Sequence, residues 1–202
     1  MVKTGQDSGE AERSAWVDAL VQQRRHVGPK HLGLPAPDDA ELRALFAAAA
    51  AAPDHGRLRP WRFLVLGPQA RERLGQAFAD ALRERDPAAL DSQLVEAREK
   101  AFRGPVLILA IADLRAEEAD VPAVERWVSL GAAIQNLLLA AAARGYASGL
   151  SSGRAMGSQA LREAFGLAEG EHALCFISLG TALRDKPGRE RPAVDDFVAW
   201  ID

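Results

Sequence analysis

Arg24 and Arg25, followed by His26, stand at the end of a stretch with helical apolar periodicity. Guanidinium groups pair bidentately with phosphate oxygens, so two of them side by side suit a phosphate ester. Cations at a helix C-terminus are also favoured by the dipole alone, which leaves a purely structural role open. Further on, Ala52-Pro53-Asp54-His55 and Leu58-Arg59-Pro60-Trp61 bracket a short polar loop. His55 there can donate to a ligand oxygen or bond to local backbone. Ser148-Gly149-Leu150-Ser151-Ser152-Gly153 forms a glycine-serine turn after a long apolar segment. Near the end come Lys186, Arg189 and Arg191, any of which can complete a phosphate site.

Other chemistries find less support. Gly149-Leu150-Ser151-Ser152-Gly153 fits G-x-S-x-G, the nucleophile elbow of hydrolases. That motif needs a strand, a sharp turn and a helix, then an acid and a histidine. The only later histidine is His172, so a plain turn is the better reading. HExxH, CxxC and a P-loop lysine are absent, and the four histidines show no ligand spacing. No metal site is expected. Cys175 reads as a buried, inert thiol within a strand, and Trp61 as core at the start of one.

Composition narrows the partners. A formal charge of -3 leaves no basic footprint for nucleic acid. One cysteine excludes an internal disulfide and fits a reducing, cytoplasmic setting. Met1 to Glu10 is polar, without the apolar stretch of a signal peptide, and reads as a loose, disordered tail. Val128 to Ala143, the most apolar run, is short for a membrane span and contains Ser129, Gln135 and Asn136. The remaining 11–202 is long enough to bury one core.

The elements that must position these residues follow from periodicity and punctuation. A helix is expected over Ala11 to Arg25, with Trp16, Val17, Leu20 and Val21 as one apolar stripe. Asp38 and Glu41 stand in capping-box spacing before a second helix, which Pro53 stops. A strand over Trp61 to Leu66 precedes a helix opened by Gly67-Pro68. Pro87 is expected to open another, running to about Phe102. Val106 to Ala112 reads as a central strand covered on both faces. Pro122 to Arg144 reads as a helix buried on all sides, in a core or between subunits. A short strand over Tyr146 to Leu150, a helix capped by Ser158 and a strand over Ala173 to Leu179 follow. The tail from Gly180 ends in Phe197, Val198, Trp200 and Ile201, an apolar cluster that must bury itself somewhere. Helix pairs separated by single strands argue for a sheet between helix layers.

Taken in order, the Arg-Arg pair, the A-P-D-H-x-x-x-x-P-W loop, the apolar helix, the glycine-serine turn and a final strand ending in L-G-T resemble the nitroreductase family. The resemblance runs from about Trp16 to Trp200. It implies an α+β fold, a three-layer α-β-α sandwich around a mixed, mainly antiparallel sheet, and an obligate homodimer with FMN at the subunit interface. By the same resemblance Arg24 and Arg25, with His26 beside them, hold the phosphate and ribityl end. His55 reaches the flavin from the neighbouring subunit, and Leu150, Ser151 and Ser152 line the isoalloxazine. One of the tail cations, with Arg189 and Arg191 as the candidates beside Lys186, completes the phosphate site, and the 181–202 extension packs on the partner. NAD(P)H would supply hydride, and a quinone or nitroaromatic would take it in ping-pong order, with no side chain required as a catalyst.

Departures from the family pattern bear on the acceptor pocket. His26 replaces the usual serine, Arg59 the glutamine before P-W, and Ala182 the proline after L-G-T. Leu150-Ser151 stands where close relatives carry tryptophan and arginine. A storage or regulatory FMN protein without general reductase activity is the alternative these substitutions suit. A specialised enzyme that destroys flavin or dehalogenates a small molecule is a third reading, though no extra lid segment marks it.

Overall fold

The structure is a computed structural model that describes residues 6–115, 121–185, 187, 188 and 190–201. Its elements run α1 (Gln6–Gln23), β1 (Leu32–Gly33), α2 (Asp39–Ala50), β2 (Trp61–Val65), α3 (Pro68–Arg85) and α4 (Asp91–Glu99). They continue with β3 (Val106–Asp113), α5 (Ala123–Ala143), β4 (Ala147–Ser151), α6 (Gln159–Phe165) and β5 (Glu171–Ala182).

β3 and β5 form the centre of the sheet. β2 flanks β3, β4 flanks β5, and every ladder is antiparallel. β1 pairs with Thr181 and Ala182, beyond the point where β3 begins. Among the described residues the sole parallel contact is a bridge between His26 and Ser148.

Strand periodicity explains the layers. Ile108, Ala110 and Ala112 of β3 pack with α2 and α5, whereas Leu107, Leu109 and Ile111 pack with α3 and α6. A strand apolar on both faces therefore carries a helix layer on each side, as expected from its unbroken apolar run. Each fully buried leucine or isoleucine in these layers contributes about 1.5–3 kcal/mol.

The caps hold where the sequence placed them. Asp38 accepts from the Glu41 amide at 2.8 Å, and Glu41 accepts in return from the Asp38 amide at 3.1 Å. Glu41 also accepts from the Tyr146 hydroxyl at 2.7 Å, which ties α2 to the entry of β4. Ser158 caps α6 through the Leu161 amide.

Two arginines, the buried Arg71 and the partly exposed Arg62, fix loops. Arg71 donates to the carbonyls of Leu66, Ala101, Gly104 and Pro105, so the turn into β3 is held by one guanidinium. Arg62 donates through Nε and Nη2 to the buried Glu171 carboxylate, at 2.6 and 2.8 Å. That bidentate pair holds Glu171 below the usual carboxylate range, despite its burial.

Several expectations change. The helix begins at Gln6, so residues 6–10 extend α1 instead of forming a tail. Pro87 does not open a helix; Asp86 accepts from the Ala88 amide in a side-chain turn, and α4 starts only at Asp91. α5 is not buried all round, because Val124, Val128, Gly131 and Gln135 face outward along one stripe. Trp16, Val17 and Val21 of α1 are exposed as well.

Candidate functional site

Past the end of α1 the chain runs as a short extended segment along the free edge of β4. The Val27 amide donates to the Ser148 carbonyl at 2.8 Å. This approach depends on Gly149, since a Cβ there would lie 2.1 Å from the Val27 carbonyl oxygen. The contact sets Arg24 and Arg25 beside the buried Ser148, on a cavity of about 290 Å³.

The tail then crosses the same place. Arg191 donates through Nη2 to the Arg24 carbonyl at 3.3 Å, and Gly188 sits against the Arg25 guanidinium. Burial, then the charges of Arg191 and Arg25, push the Arg24 guanidinium below its ordinary pKa. None of the three guanidiniums forms an ion pair among the described residues. Asp185 also lines the cavity. Three crowded cations repel one another and are held together at a cost, which an anion in the cavity would offset. Arg25 differs from Arg24 in one respect: its Nη1 donates to the Gln22 carbonyl at 2.6 Å, closing the end of α1. His26 contributes backbone to the bridge with Ser148. Lys186 and Arg189 lie outside the described residues.

Farther along β4, Ser151 and Ser152 line a second hollow of about 300 Å³. Three residues of extended chain separate Ser148 from Ser151, roughly 10 Å. One strand therefore joins a cationic cavity to an open cleft, with the half-exposed Leu150 between them.

His55 lies elsewhere. Trp61 pairs with Ala112, whereas Leu179, next to the arginine site, pairs with Val106. The two places are thus at opposite ends of β3, roughly 20 Å apart within one chain. Among the described residues the His55 ring is bonded neither to local backbone nor to any site residue; Nδ1 meets Glu125 Oε2 at 2.6 Å. Its loop is strained, with Gly56, Arg57 and Arg59 all at positive φ. Asp54 restrains it by accepting from the Arg59 amide at 2.7 Å.

The hydrolase reading fails on geometry. Ser151 is registered against Phe176, and His172 lies farther down β5, its ring tilted against Trp127 with centroids 6.1 Å apart. Cys175 is buried as expected, its thiol pushed up to about 11 by desolvation.

Residues 21–181 match the sequence profile of the nitroreductase family. The chain belongs to that family. A Haemophilus influenzae protein named for NAD(P)H nitroreductase activity is 34% identical over 187 residues, 92% of this chain and all of its own. YdjA of Escherichia coli, named in the same way, is 34% identical over 188 residues, again 92% of this chain and all of its own. Among solved structures, a nitroreductase-like family protein from Bacillus cereus aligns with a TM-score of 0.76 at 20% identity. That alignment covers 92% of this chain and 95% of the other. The FMN-dependent nitroreductase NfnB of Mycobacterium smegmatis, solved with NADPH, aligns at 0.67 and 18% identity, over 94% and 99%. These likenesses support the three-layer α+β sandwich, with its mainly antiparallel sheet, as this family's fold.

Within this family member, sequence reasoning missed two features. Glu125 is 70 positions from the histidine it meets, and nothing local announces the pairing. The cleft beyond Ser151 is bordered by Arg85, Lys100, Arg103 and Arg154, cations from separate segments with no motif in common.

Proposed function

We propose that this chain is an FMN-dependent oxidoreductase that takes hydride from NAD(P)H and passes it to a small acceptor, such as a nitroaromatic or quinone. The observation that carries this reading is the cluster of Arg24, Arg25 and Arg191 beside β4, which among the described residues forms no ion pair. Arg24 and Arg191 bind the phosphate. Arg25 supplies charge while also closing α1. The backbone of His26, Leu150 and Ser151 and the hydroxyl of Ser152 orient the ring system along the β4 edge. FMN when bound supplies the redox chemistry, accepting hydride from one partner and yielding it to the next. The protein's part is to position both, exclude water and place donors near developing negative charge. Added FMN is expected to quench on binding far more strongly than FAD, because the cavity has room and charge for one phosphate. A protein that quenches neither flavin contradicts the reading.

The working unit in this proposal is a symmetric homodimer. Trp16, Val17 and Val21 on α1, Val124 and Val128 on α5, and Phe197, Trp200 and Ile201 in the tail are all exposed on the single chain. Three apolar surfaces without cover call for a partner, and a second copy supplies matching ones. It would also bring His55 to the other subunit's flavin. With Nδ1 held by Glu125, only Nε2 is then available for that contact. Deleting residues 192–202 is expected to weaken the dimer and raise binding of a hydrophobic dye. A stable full-length monomer holding flavin, seen by light scattering, is the contrary result.

A further inference from the structure

Four cations rim the cleft beyond Ser151: Arg85 at the end of α3, Lys100 and Arg103 in the turn before β3, and Arg154 after β4. Among the described residues no carboxylate lines it. Among the described residues none of the four side chains makes an ion pair or a side-chain hydrogen bond. By contrast Arg62, Arg71 and Arg162 are bonded to carboxylate or carbonyl oxygens. The floor is apolar, with Phe78 and Phe176 in edge contact at 5.7 Å. The Arg71 guanidinium anchors Ala101, Gly104 and Pro105, so the turn that presents Lys100 and Arg103 is held in place.

We infer that this cleft selects an anionic acceptor: a flat aromatic molecule that carries a carboxylate or a comparable acidic group. The inference rests on the oxidoreductase reading above and adds the class of substrate. A ring of about six to ten atoms fits within 300 Å³, and the volume is too small for a whole dinucleotide. A neutral quinone would use the floor and leave the rim unused. An aromatic acid uses both, since the rim offers guanidinium forks that match a carboxylate. The rim is exposed, so its attraction is moderate and sensitive to salt.

The test compares 4-nitrobenzoate with 4-nitrobenzamide, nearly equal in shape and differing in charge. Calorimetry on the flavin-loaded, oxidised protein is expected to show the acid binding about tenfold more tightly at low salt. The preference should shrink strongly near 1 M salt, where screening falls to about 3 Å. It should fall to within about twofold in the Arg85→Ala/Arg154→Ala variant, with flavin content unchanged. Equal affinity for the two compounds in the wild type overturns the inference, as does a preference that the double variant keeps. Loss of flavin from that variant also overturns it, since the rim would then hold the cofactor. So does a selective loss of NADPH over NADH affinity, which would assign the rim to the donor's extra phosphate. Failure of the underlying reading looks different: the protein is colourless, or NAD(P)H leaves its flavin oxidised.

Discussion

Gly149→Ala is expected to destabilise the protein by about 3 kcal/mol and to abolish tight flavin binding together. The added Cβ would lie 2.1 Å from the Val27 carbonyl oxygen and 3.2 Å from the His26 ring. Both obstacles sit in a segment that is hydrogen-bonded to β4, so relief requires the segment to move. Moving it breaks the Val27–Ser148 bond and drags Arg24 and Arg25 from their cavity. Overpacking costs typically 1–3 kcal/mol, and a lost hydrogen bond adds about 1. For a chain of this size that lowers Tm by roughly 10 °C. Gly28→Ala is the matched control: that residue lies at φ -68 with nothing within 4 Å of its would-be Cβ. A Gly149→Ala protein with wild-type melting and flavin content would refute the proposed seating of residues 24–27 on β4.

Replacing Arg24 and Arg25 together by alanine should weaken FMN binding by several kcal/mol, or roughly 10²–10⁴-fold. Hydrogen bonds to charged groups contribute about 1.5–3 kcal/mol each. Arg24→Ala alone should account for most of this loss. Its guanidinium is crowded by Arg191 and Arg25, whereas Arg25 already spends a donor on the Gln22 carbonyl. Arg25→Ala should instead show in the melting temperature, through the end of α1. Riboflavin, which lacks the phosphate, should lose much less affinity than FMN in every variant. Titrations in which both flavins weaken equally would mean that the pair holds structure and not phosphate.

Much of the frame was legible because its signals are local. The Asp38–Glu41 capping box, the Ser158 cap and the doubly covered strand over 106–113 each depend on a few neighbouring residues. Pro87 misled because Asp86 captured the next turn with its side chain, a competition that proline alone does not report. The α1 stripe was legible as a helix and not as exposed surface: Trp16, Val17 and Val21 all lie open on the single chain.

The candidate site divides in the same way. Arg24 and Arg25 were conspicuous as a pair, and the fold supplied Arg191 from 166 positions away. The cleft cations were invisible, since α3, the turn before β3 and the end of β4 meet only in three dimensions. His55 was a candidate from its loop motif alone, and its partner Glu125 follows from the packing of α5 against the loop before β2.

Anaerobic stopped-flow reduction of the flavin-loaded protein tests the central claim most directly. NADH or NADPH is expected to bleach the flavin absorbance fully, and a quinone or nitroaromatic to restore it in a second mixing. If neither nicotinamide bleaches the flavin while dithionite does, the protein holds FMN without being a nicotinamide-dependent reductase, and a storage or regulatory role replaces the account given above.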